Sequence, residues 1–209
     1  MKIGILGGGK VGGTLGLSWT LKGHEVVFGV RNPGSDEMTA LIADSQGRAR
    51  AGSAAEAAAF GEVVVNALPW KAAKETLSAL NLAGKVLLDC TNPILPGLTG
   101  LEVGTTTSGG EQVAQWAKGA RVAKVFNTTG FENMANPVYS GAPVTMFYCS
   151  DDAEAKKVAA TLAADTGFAP VDAGPLSNSR LLEPYALLWI WLSAKGGLGR
   201  DFALTTSRR

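Results

Sequence analysis

The 209-residue sequence predicts an α/β protein with a doubly wound parallel sheet and a small C-terminal extension of one strand and one helix. Three observations favour this fold class. A glycine-rich turn joins an apolar run to a helix start within residues 1–19, β-branched apolar runs then alternate with helical stretches, and the fourth such run ends in polar residues. This alternation is typical of parallel strands that helices cover on both faces, as in Rossmann-type domains.

The glycine-rich turn fits the spacing G-x-G-x-x-G, with Gly7, Gly9 and Gly12 at the glycine positions. The first glycine suits a tight turn, the second lets the backbone approach a pyrophosphate, and the third lets the helix pack closely on the strand. A second strand at 24–30 follows within the ~30-residue unit of a dinucleotide-binding motif. Because amides at a helix N-terminus attract anions, we predict cofactor contacts from Gly7, Gly8, Gly9, Lys10, Val11 and Gly12. The alternative is a purely structural glycine turn.

The turn after the second strand indicates which dinucleotide binds. An NAD-binding domain usually has Asp or Glu about 20 residues after the glycines, whereas an Arg nearby accommodates the 2′-phosphate of NADP. This chain has no acid at that point and offers Arg31. We therefore predict NADP(H) as the cofactor, with contacts from Val30, Arg31, Asn32 and Ser35. Taken alone, Arg31 could also be an ordinary solvated turn residue.

Helices and strands continue to alternate after this turn. The pattern predicts helices at 36–46 and 54–60, a third strand at 62–70, a helix at 71–80 and a fourth strand at 84–93. The stretch 94–110 is rich in Gly, Thr and Pro and predicts a lid or a substrate-side loop. A helix at 111–116 and a fifth and a sixth strand, at 120–129 and 144–149, are predicted after it.

The C-terminal part predicts one more helix-strand-helix unit. Asp151 or Asp152 can cap a helix that Gly167 ends, and a short strand at 170–172 and a final helix at 181–195 follow. We predict a dinucleotide-binding core at 1–149 and an extension at 150–209 that completes the acceptor site and forms a dimer contact, both within one compact unit.

The ends of the predicted strands are the expected place for a ligand. In open parallel sheets, ligands bind outside the carboxyl ends of the strands. We therefore predict further cofactor contacts where the third, fourth and fifth strands end, although these residues could be routine connections between strand and loop. The residues are Ala67, Leu68, Pro69, Asn92, Pro93 and Asn127.

Composition argues against several classes of protein. The net charge is +1 with both signs interspersed, which predicts neither a nucleic-acid nor a membrane partner. The apolar stretch 185–192 is far shorter than the ~20 residues of a membrane-spanning helix. Cys90 and Cys149 each end an apolar run that predicts a strand, and no leader is evident, so we expect free thiols and cytoplasmic residence. The sole histidine, His24, suits a structural role, and no metal-ligand spacing appears.

The predicted dinucleotide site has no evident acid or base at its reacting end. This favours direct hydride transfer, with no catalytic side chain, to an acceptor that needs little proton management, such as a flavin-like ring. Related dehydrogenases carry a catalytic Lys on a long helical domain, whereas the final helix here has only Lys195, beyond its apolar stretch. A reductase of a small carbonyl or imine and a non-catalytic NADP-binding sensor stay open as alternatives.

Several motifs resemble those of the NADPH-dependent coenzyme F-420 reductases, also called F-420:NADP oxidoreductases. The motifs are GGGKVG at 7–12, GVRNP at 29–33, LPW at 68–70, FNT at 126–128 and DAGPLSNSRL at 172–181. The similarity spans the chain, and the last motif is its most specific part. The segments FGVRNP at 28–33 and FNT are also similar to the cytosolic domain of the six-transmembrane metalloreductases, which uses NADPH to reduce a flavin.

The resemblance implies a hydride acceptor and the residues that contact it. The acceptor would be a small molecule, either the deazaflavin coenzyme F-420 or a flavin such as FMN or FAD. Its contacts would come from Thr128, Gly174, Pro175 and Leu176. The chain departs from archaeal members in a shorter glycine turn, in Val30 and Ser35 around the Arg, and in Thr91-Asn92-Pro93. We therefore expect weaker NADP selectivity than in those enzymes and an acceptor pocket that suits a different ring.

The resemblance also implies a homodimer. The apolar face around Leu188, Trp189 and Trp191 offers a contact surface, although core packing would explain these residues equally well.

Overall fold

The computed structural model describes residues 1–207, so Arg208 and Arg209 lie outside the described residues. The first part of the chain contains β1 (Lys2–Leu6), α1 (Lys10–Leu21), β2 (Glu25–Gly29), α2 (Asp36–Ala43), β3 (Ala49–Gly52), α3 (Ala54–Phe60), β4 (Val63–Asn66), α4 (Trp70–Ser78) and β5 (Val86–Asp89). The second part contains α5 (Gly109–Trp116), β6 (Arg121–Lys124), α6 (Phe131–Ala135), β7 (Val138–Tyr139), β8 (Ala142–Pro143), β9 (Thr145–Ser150), α7 (Ala153–Thr166), β10 (Ala169–Asp172) and α8 (Ser179–Ala194).

The main sheet has eight strands in the order β10-β9-β6-β5-β4-β1-β2-β3, which confirms the predicted Rossmann-type α/β fold. Strand β1 pairs in parallel with β2 on one side and with β4 on the other. The strand order therefore reverses next to β1, and ligands of open α/β sheets bind in the crevice outside such a switch point. The glycine turn that follows β1 lies at this crevice.

One strand pairing differs from the predicted parallel sheet. Strand β9 pairs antiparallel to β6, with Ala123 opposite Ser150, whereas β10 pairs in parallel with β9. Strand β9 runs opposite to β6 because the connection between them does not return the chain to the amino end of β6. This connection contains α6 and the hairpin β7–β8. The predicted extension from residue 150 shares the main sheet with the core through β10.

Four short elements were not predicted. Strand β3 has the sequence ARAG with a single buried residue, so it shows neither an apolar run nor a clear alternation. Helix α6 has five residues, and β7 and β8 have two each. Elements this short depend on tertiary contacts rather than on a sequence period.

The core lies on both faces of the sheet, as a doubly wound fold requires. One cluster joins the strands to α1 and α7, and the other joins them to α3, α4 and α5. Trp19 of α1 is completely buried, and its indole N–H donates to the carbonyl of Leu162 at 3.0 Å and to the Thr166 hydroxyl at 3.1 Å, both on α7. Of the two predicted caps of α7, Asp152 is the N-cap residue, and Gly167 is the C-cap residue as predicted.

Helix α8 docks on the body through one face and exposes the other. Trp189 is 1% exposed and stacks on Phe202 at 5.1 Å, so this residue belongs to the core. Leu188 and Trp191 are 50% and 44% exposed. The predicted contact surface around these three residues is therefore divided, and only its outer part is accessible. Within residues 1–207, none of the helices combines the length and the apolar character needed to cross a membrane.

Candidate functional site

The glycine turn has the geometry that its spacing predicts. Gly7 adopts φ +101°, a left-handed conformation that favours glycine, and its amide donates to the carbonyl of Gly29 at 3.0 Å. A Cβ atom on Gly12 would lie 2.1 Å from the Gly7 carbonyl oxygen. The first and third glycines of the motif are thus required by the fold itself.

The second glycine of the motif leaves the start of α1 open. Gly9 is the N-cap residue, and α1 has neither a side-chain cap nor an acidic residue in its first turn. A Cβ atom on Gly9 would meet nothing within 4 Å. The first amides of a helix lack intrahelical partners, and they carry the positive end of the helix dipole. This end of α1 can therefore accept an anionic group from outside the chain.

The turn after β2 lies directly beside the glycine turn. A Cβ atom on Gly8 would lie 2.9 Å from Val30 Cγ1, so Val30 packs against the motif. Arg31 and Asn32 are exposed next to it. Ser35 serves as the N-cap of α2, where its hydroxyl accepts the Met38 amide at 3.3 Å. Of the predicted residues in this turn, Arg31 therefore supplies an exposed cation beside the glycine turn, and Ser35 also has a structural role.

A cavity of about 690 Å³ opens beside the glycine turn. It begins at the turn, follows α1 toward Leu21, and is bounded by residues of α2 and α6. The lining residues are Gly8, Gly9, Lys10, Gly13, Thr14, Leu17, Ser18, Leu21, Glu37, Leu41 and Ala135. The cavity does not include the predicted contacts at the ends of β4, β5 and β6.

The predicted residues after β5 and β6 meet each other. Asn92 Nδ2 donates to the Asn127 carbonyl at 2.8 Å, and Asn127 Nδ2 donates to Asn92 Oδ1 at 3.0 Å. Asn127 Oδ1 is buried without a hydrogen-bond partner among the described residues. Phe126, just before Asn127, has φ +59° and packs edge-on against Trp19 at 5.6 Å. The core thus holds strained backbone at this point, which is common at ligand sites.

The loop before α8 holds the predicted acceptor residues in place. Gly174 adopts φ +96°, and its amide donates to Asp172 Oδ1 at 2.7 Å. Pro175 is exposed, whereas the side chain of Leu176 is buried in the core with 7% exposure. Thr128 is 3% exposed, and its hydroxyl lies 3.8 Å from Met146 Sδ. The structure does not bring these predicted residues together, because Thr128 contacts Met146 at the start of β9, whereas the Gly174 carbonyl accepts the Ser150 amide at the end of β9. Within the loop, Gly174 and Pro175 are the accessible residues.

The structure reveals a buried ionic network that the sequence reasoning missed. Lys124, the last residue of β6, is completely buried, and its ammonium lies 2.7 Å from Asp89 Oδ2 and 2.9 Å from Glu183 Oε1. Its remaining N–H donates to the Thr91 carbonyl at 2.6 Å. Burial alone would lower the pKa of Lys124, but the two carboxylates outweigh it, and the pKa lies above its ordinary value. Lys124 thus stays charged and has no proton donor to spare.

Glu183 completes this network at the start of α5. Its Oε2 accepts the Gly109 amide at 2.9 Å, and its Oε1 accepts the Gly110 amide at 2.9 Å. On the other side, Asp89 Oδ1 accepts the Asn66 side-chain amide at 2.9 Å and the Thr91 hydroxyl at 2.9 Å. A signal was present in the sequence, because Asp89 and Lys124 end neighbouring apolar strands with opposite charges and Glu183 interrupts an apolar helix.

Neither the two cysteines nor His24 is placed to act as a nucleophile or a metal ligand at this site. Both cysteines are free, and burial raises the pKa of the Cys90 and Cys149 thiols. His24 lies at the amino end of β2, opposite to the site, where its Nε2 pairs with Asp165 at 3.0 Å. In the part of the chain that the structure describes, no group of three His, Cys, Asp or Glu side chains could hold a metal ion.

Comparison with known proteins places these features in a family. A family model described as NADP oxidoreductase, coenzyme F-420-dependent, matches residues 2–93, which contain the glycine turn, Arg31 and Asn92. A protein from Arthrobacter sp. FB24, described as a candidate F-420-dependent NADP-reductase, is 31% identical, and its crystal structure has a TM-score of 0.87. The alignment covers 100% of both chains.

Two further proteins share part of their length with this chain. The rat metalloreductase STEAP3 (Rattus norvegicus) is 32% identical over 195 residues, which are 91% of this chain and 38% of the metalloreductase. The chain thus spans about two fifths of that relative's length. A reductive aminase from Aspergillus terreus, solved with NADPH4, cyclohexanone and allyl amine, has a TM-score of 0.69 at 19% identity, over 94% of this chain and 62% of that one. This second likeness shows a common fold.

The Arthrobacter protein matches the full length of this chain, and the family model covers the glycine turn and the ends of the first strands. The chain therefore belongs to the family of coenzyme F-420-dependent NADP oxidoreductases.

Proposed function

We propose that this NADP-dependent oxidoreductase transfers hydride between NADPH and a planar deazaflavin or flavin acceptor. The observation that carries the proposal is the open start of α1 at the switch point of the sheet, where Gly9 leaves the helix amides accessible. An anionic pyrophosphate fits this arrangement of amides and free space. When bound, the nicotinamide would supply the hydride.

Different residues around the crevice would bind different parts of the dinucleotide. The amides of the glycine turn would hold the pyrophosphate, and the exposed guanidinium of Arg31 would hold the 2′-phosphate. The unpartnered Asn127 Oδ1 would accept a hydrogen bond from the nicotinamide carboxamide, which would satisfy a buried polar atom. Leu68 and Pro69 would pack against the nucleotide at the end of β4.

The state of Lys124 and of the two cysteines supports a ring acceptor. Lys124 uses its three N–H groups within the protein, and the pKa of each cysteine thiol is raised. Reduction of a carbonyl or imine needs a positioned donor for the developing charge, whereas a flavin-like ring accepts hydride with little proton management. We therefore propose a flavin-like ring as the hydride acceptor.

The test combines a binding measurement with an acceptor panel. NADPH and NADH affinities are measured by fluorescence titration, and NADPH oxidation is followed by stopped flow with coenzyme F-420, FMN, FAD and a set of carbonyl and imine compounds. We expect micromolar NADPH binding and oxidation by a ring acceptor. Oxidation by carbonyls or imines alone would favour the reductase alternative, and tight binding without any oxidation would favour the sensor alternative.

A homodimer through α8 is the second part of the proposal. Leu181, Leu188 and Trp191 are 66%, 50% and 44% exposed and are spaced to lie on one side of the helix. An exposed apolar stripe of this kind is a common subunit contact. Sedimentation velocity should show a dimer for the native protein and a monomer for Leu188→Asp. A native monomer would contradict this part of the proposal.

Cytoplasmic residence stays a prediction.

A further inference from the structure

The buried network joins the proposed nicotinamide side of the site to helix α8. At one end, the Thr91 carbonyl accepts from Lys124 at 2.6 Å, and Thr91 directly precedes Asn92. At the other end, Glu183 lies on α8, one residue after Leu182, whose carbonyl lies 3.4 Å from Asn127 Nδ2. The proposed cofactor contacts Asn92 and Asn127 and the helix α8 therefore share one set of contacts.

The segment around Glu183 has little freedom to shift while these contacts persist. Each carboxylate oxygen of Glu183 accepts a backbone amide of α5, and Oε1 also faces the Lys124 ammonium. One turn earlier, Ser179 is completely buried against α5, since a Cβ atom on Gly110 would lie 2.4 Å from its hydroxyl. Glu183 therefore restricts the position of α8 relative to α5 and to the carboxyl end of β6.

We infer that Glu183 is a positioning residue of this oxidoreductase: its carboxylate sets where α8, whose Leu182 carbonyl lies 3.4 Å from Asn127 Nδ2, lies relative to the Asn92–Asn127 pair. The inference rests on the proposed function, because it assumes that the nicotinamide binds at this pair. Glu183 is 1% exposed, so its side chain is not accessible to a bound ring. It acts through Lys124, through the α5 amides and through the backbone of α8.

A neutral variant of the same shape tests this inference. Glu183→Gln places an N–H group where a carboxylate oxygen now faces amides and an ammonium, so at least one contact becomes repulsive. Because a displacement of about 1 Å can cost about 100-fold in rate, we expect single-turnover NADPH oxidation at saturating acceptor to slow by about 30- to 100-fold. The NADPH dissociation constant should change by less than about 3-fold, since the glycine turn is unaffected.

The controls separate positioning from a loss of structure. Glu75→Gln removes an exposed carboxylate on α4 and should leave both quantities unchanged. Glu183→Asp keeps the charge on a shorter arm and should recover part of the rate. Gly110→Ala introduces a wedge against Ser179 without altering any charge, so it should also slow hydride transfer while NADPH binding persists. If Glu183→Gln does not fold, Glu183→Asp and Gly110→Ala test the inference through the same readouts.

A second readout does not depend on turnover. Hydrogen–deuterium exchange should show faster exchange at 174–183 in Glu183→Gln, with unchanged protection of the glycine turn and α1. A folded variant with native exchange and a native rate would overturn the inference, and so would a rate that falls only in proportion to the folded fraction. If the native protein binds NADPH but reduces no acceptor, the proposed function fails, and the exchange pattern alone then supports or refutes the role of Glu183.

Discussion

Helices α1 and α5 both begin near the carboxyl ends of the parallel strands, but the unpaired amides of their first turns are treated in opposite ways. Helix α1 starts at Gly9 with no side-chain cap and no acid, and a Cβ atom at Gly9 would meet open space. Helix α5 has Ser108 as its N-cap residue, whose hydroxyl accepts the Glu111 amide at 3.2 Å, and the first two amides of the helix donate to the Glu183 carboxylate. The same chemistry of unpaired amides is thus left free in one helix and satisfied internally in the other.

The difference shows how one fold separates a ligand site from a structural joint. An anion at a helix start is stabilised wherever it comes from, so the open end of α1 must be filled from outside while the end of α5 is filled by the chain itself. The three changes below test this contrast, from the largest expected effect to the smallest.

Closing α1 in the manner of α5 should abolish cofactor binding. Gly9→Asp places a favourable N-cap carboxylate in free space, with the backbone at φ −77°, which any residue can adopt. The carboxylate would occupy the amides and repel the pyrophosphate by a few kcal/mol, as two charges about 4 Å apart do at a protein surface. We expect the NADPH dissociation constant to rise at least about 100-fold, which is about 2.7 kcal/mol. Titration by NADPH fluorescence measures it.

The melting temperature provides an internal check on this variant. Because Asp is a better N-cap than Gly by a few tenths of a kcal/mol, Gly9→Asp should be at least as stable as the native protein. The matched control Gly9→Asn has the same size without the charge and should lose much less affinity. Native NADPH affinity in a folded Gly9→Asp protein would show that the start of α1 does not bind the cofactor.

The next change keeps α1 open and removes the cation beside it. Arg31→Ala should weaken NADPH about 10- to 100-fold, since a charge-assisted hydrogen bond contributes about 1.5–3 kcal/mol, while NADH affinity should change by less than about 2-fold. Paired titrations with the two cofactors measure the ratio. The matched control is Arg48→Ala, which removes an exposed arginine directly before β3, at the amino ends of the parallel strands. Equal losses for NADPH and NADH would remove Arg31 as the residue that selects the phosphate.

The two helix starts also differ in how well the sequence predicted them. The spacing of Gly7, Gly9 and Gly12 is local, and the structure confirms the turn conformation and the close packing that it predicts. The closure of α5 depends on Glu183, which is 74 residues away from Gly109 along the chain. No local pattern links these positions, so the helix was predicted to begin at Glu111 rather than at Gly109.

The same reasoning explains why the ionic network was not predicted and why the last motif has a packing role. Asp89 and Lys124 were assigned to strands by their apolar neighbours, and their pairing became visible only when β5 and β6 proved adjacent. Leu176 was predicted at the acceptor because its motif is specific, yet much of that motif holds α8 in place: Asn178 caps the Ala173 carbonyl at 2.5 Å and Arg180 pairs with Glu111 at 2.8 Å. A distinctive motif can therefore be needed for packing between elements as well as for ligand contact.

The smallest effect is expected from the cap of α5. Ser108→Ala removes the hydroxyl that accepts the Glu111 amide and donates to Glu111 Oε2 at 2.7 Å, so the free energy of unfolding at pH 7 should fall by about 1 kcal/mol. NADPH affinity should change by less than about 2-fold, because Glu183 still closes the helix. Chemical denaturation and cofactor titration measure the two quantities.

The pH dependence of this loss tests its cause. Arg180, and after it Ser108, hold the pKa of the Glu111 carboxyl below its usual value. A lowered carboxyl pKa stabilises the fold above the unfolded pKa of about 4.3, and this stabilisation disappears as pH falls through the lower folded pKa. The native protein therefore loses the contribution in acid, whereas Ser108→Ala already lacks part of it. The difference in unfolding free energy between the two proteins should be larger at pH 7 than at pH 3.5. A difference that stays constant between these pH values would show that the hydroxyl acts through the Glu111 amide alone.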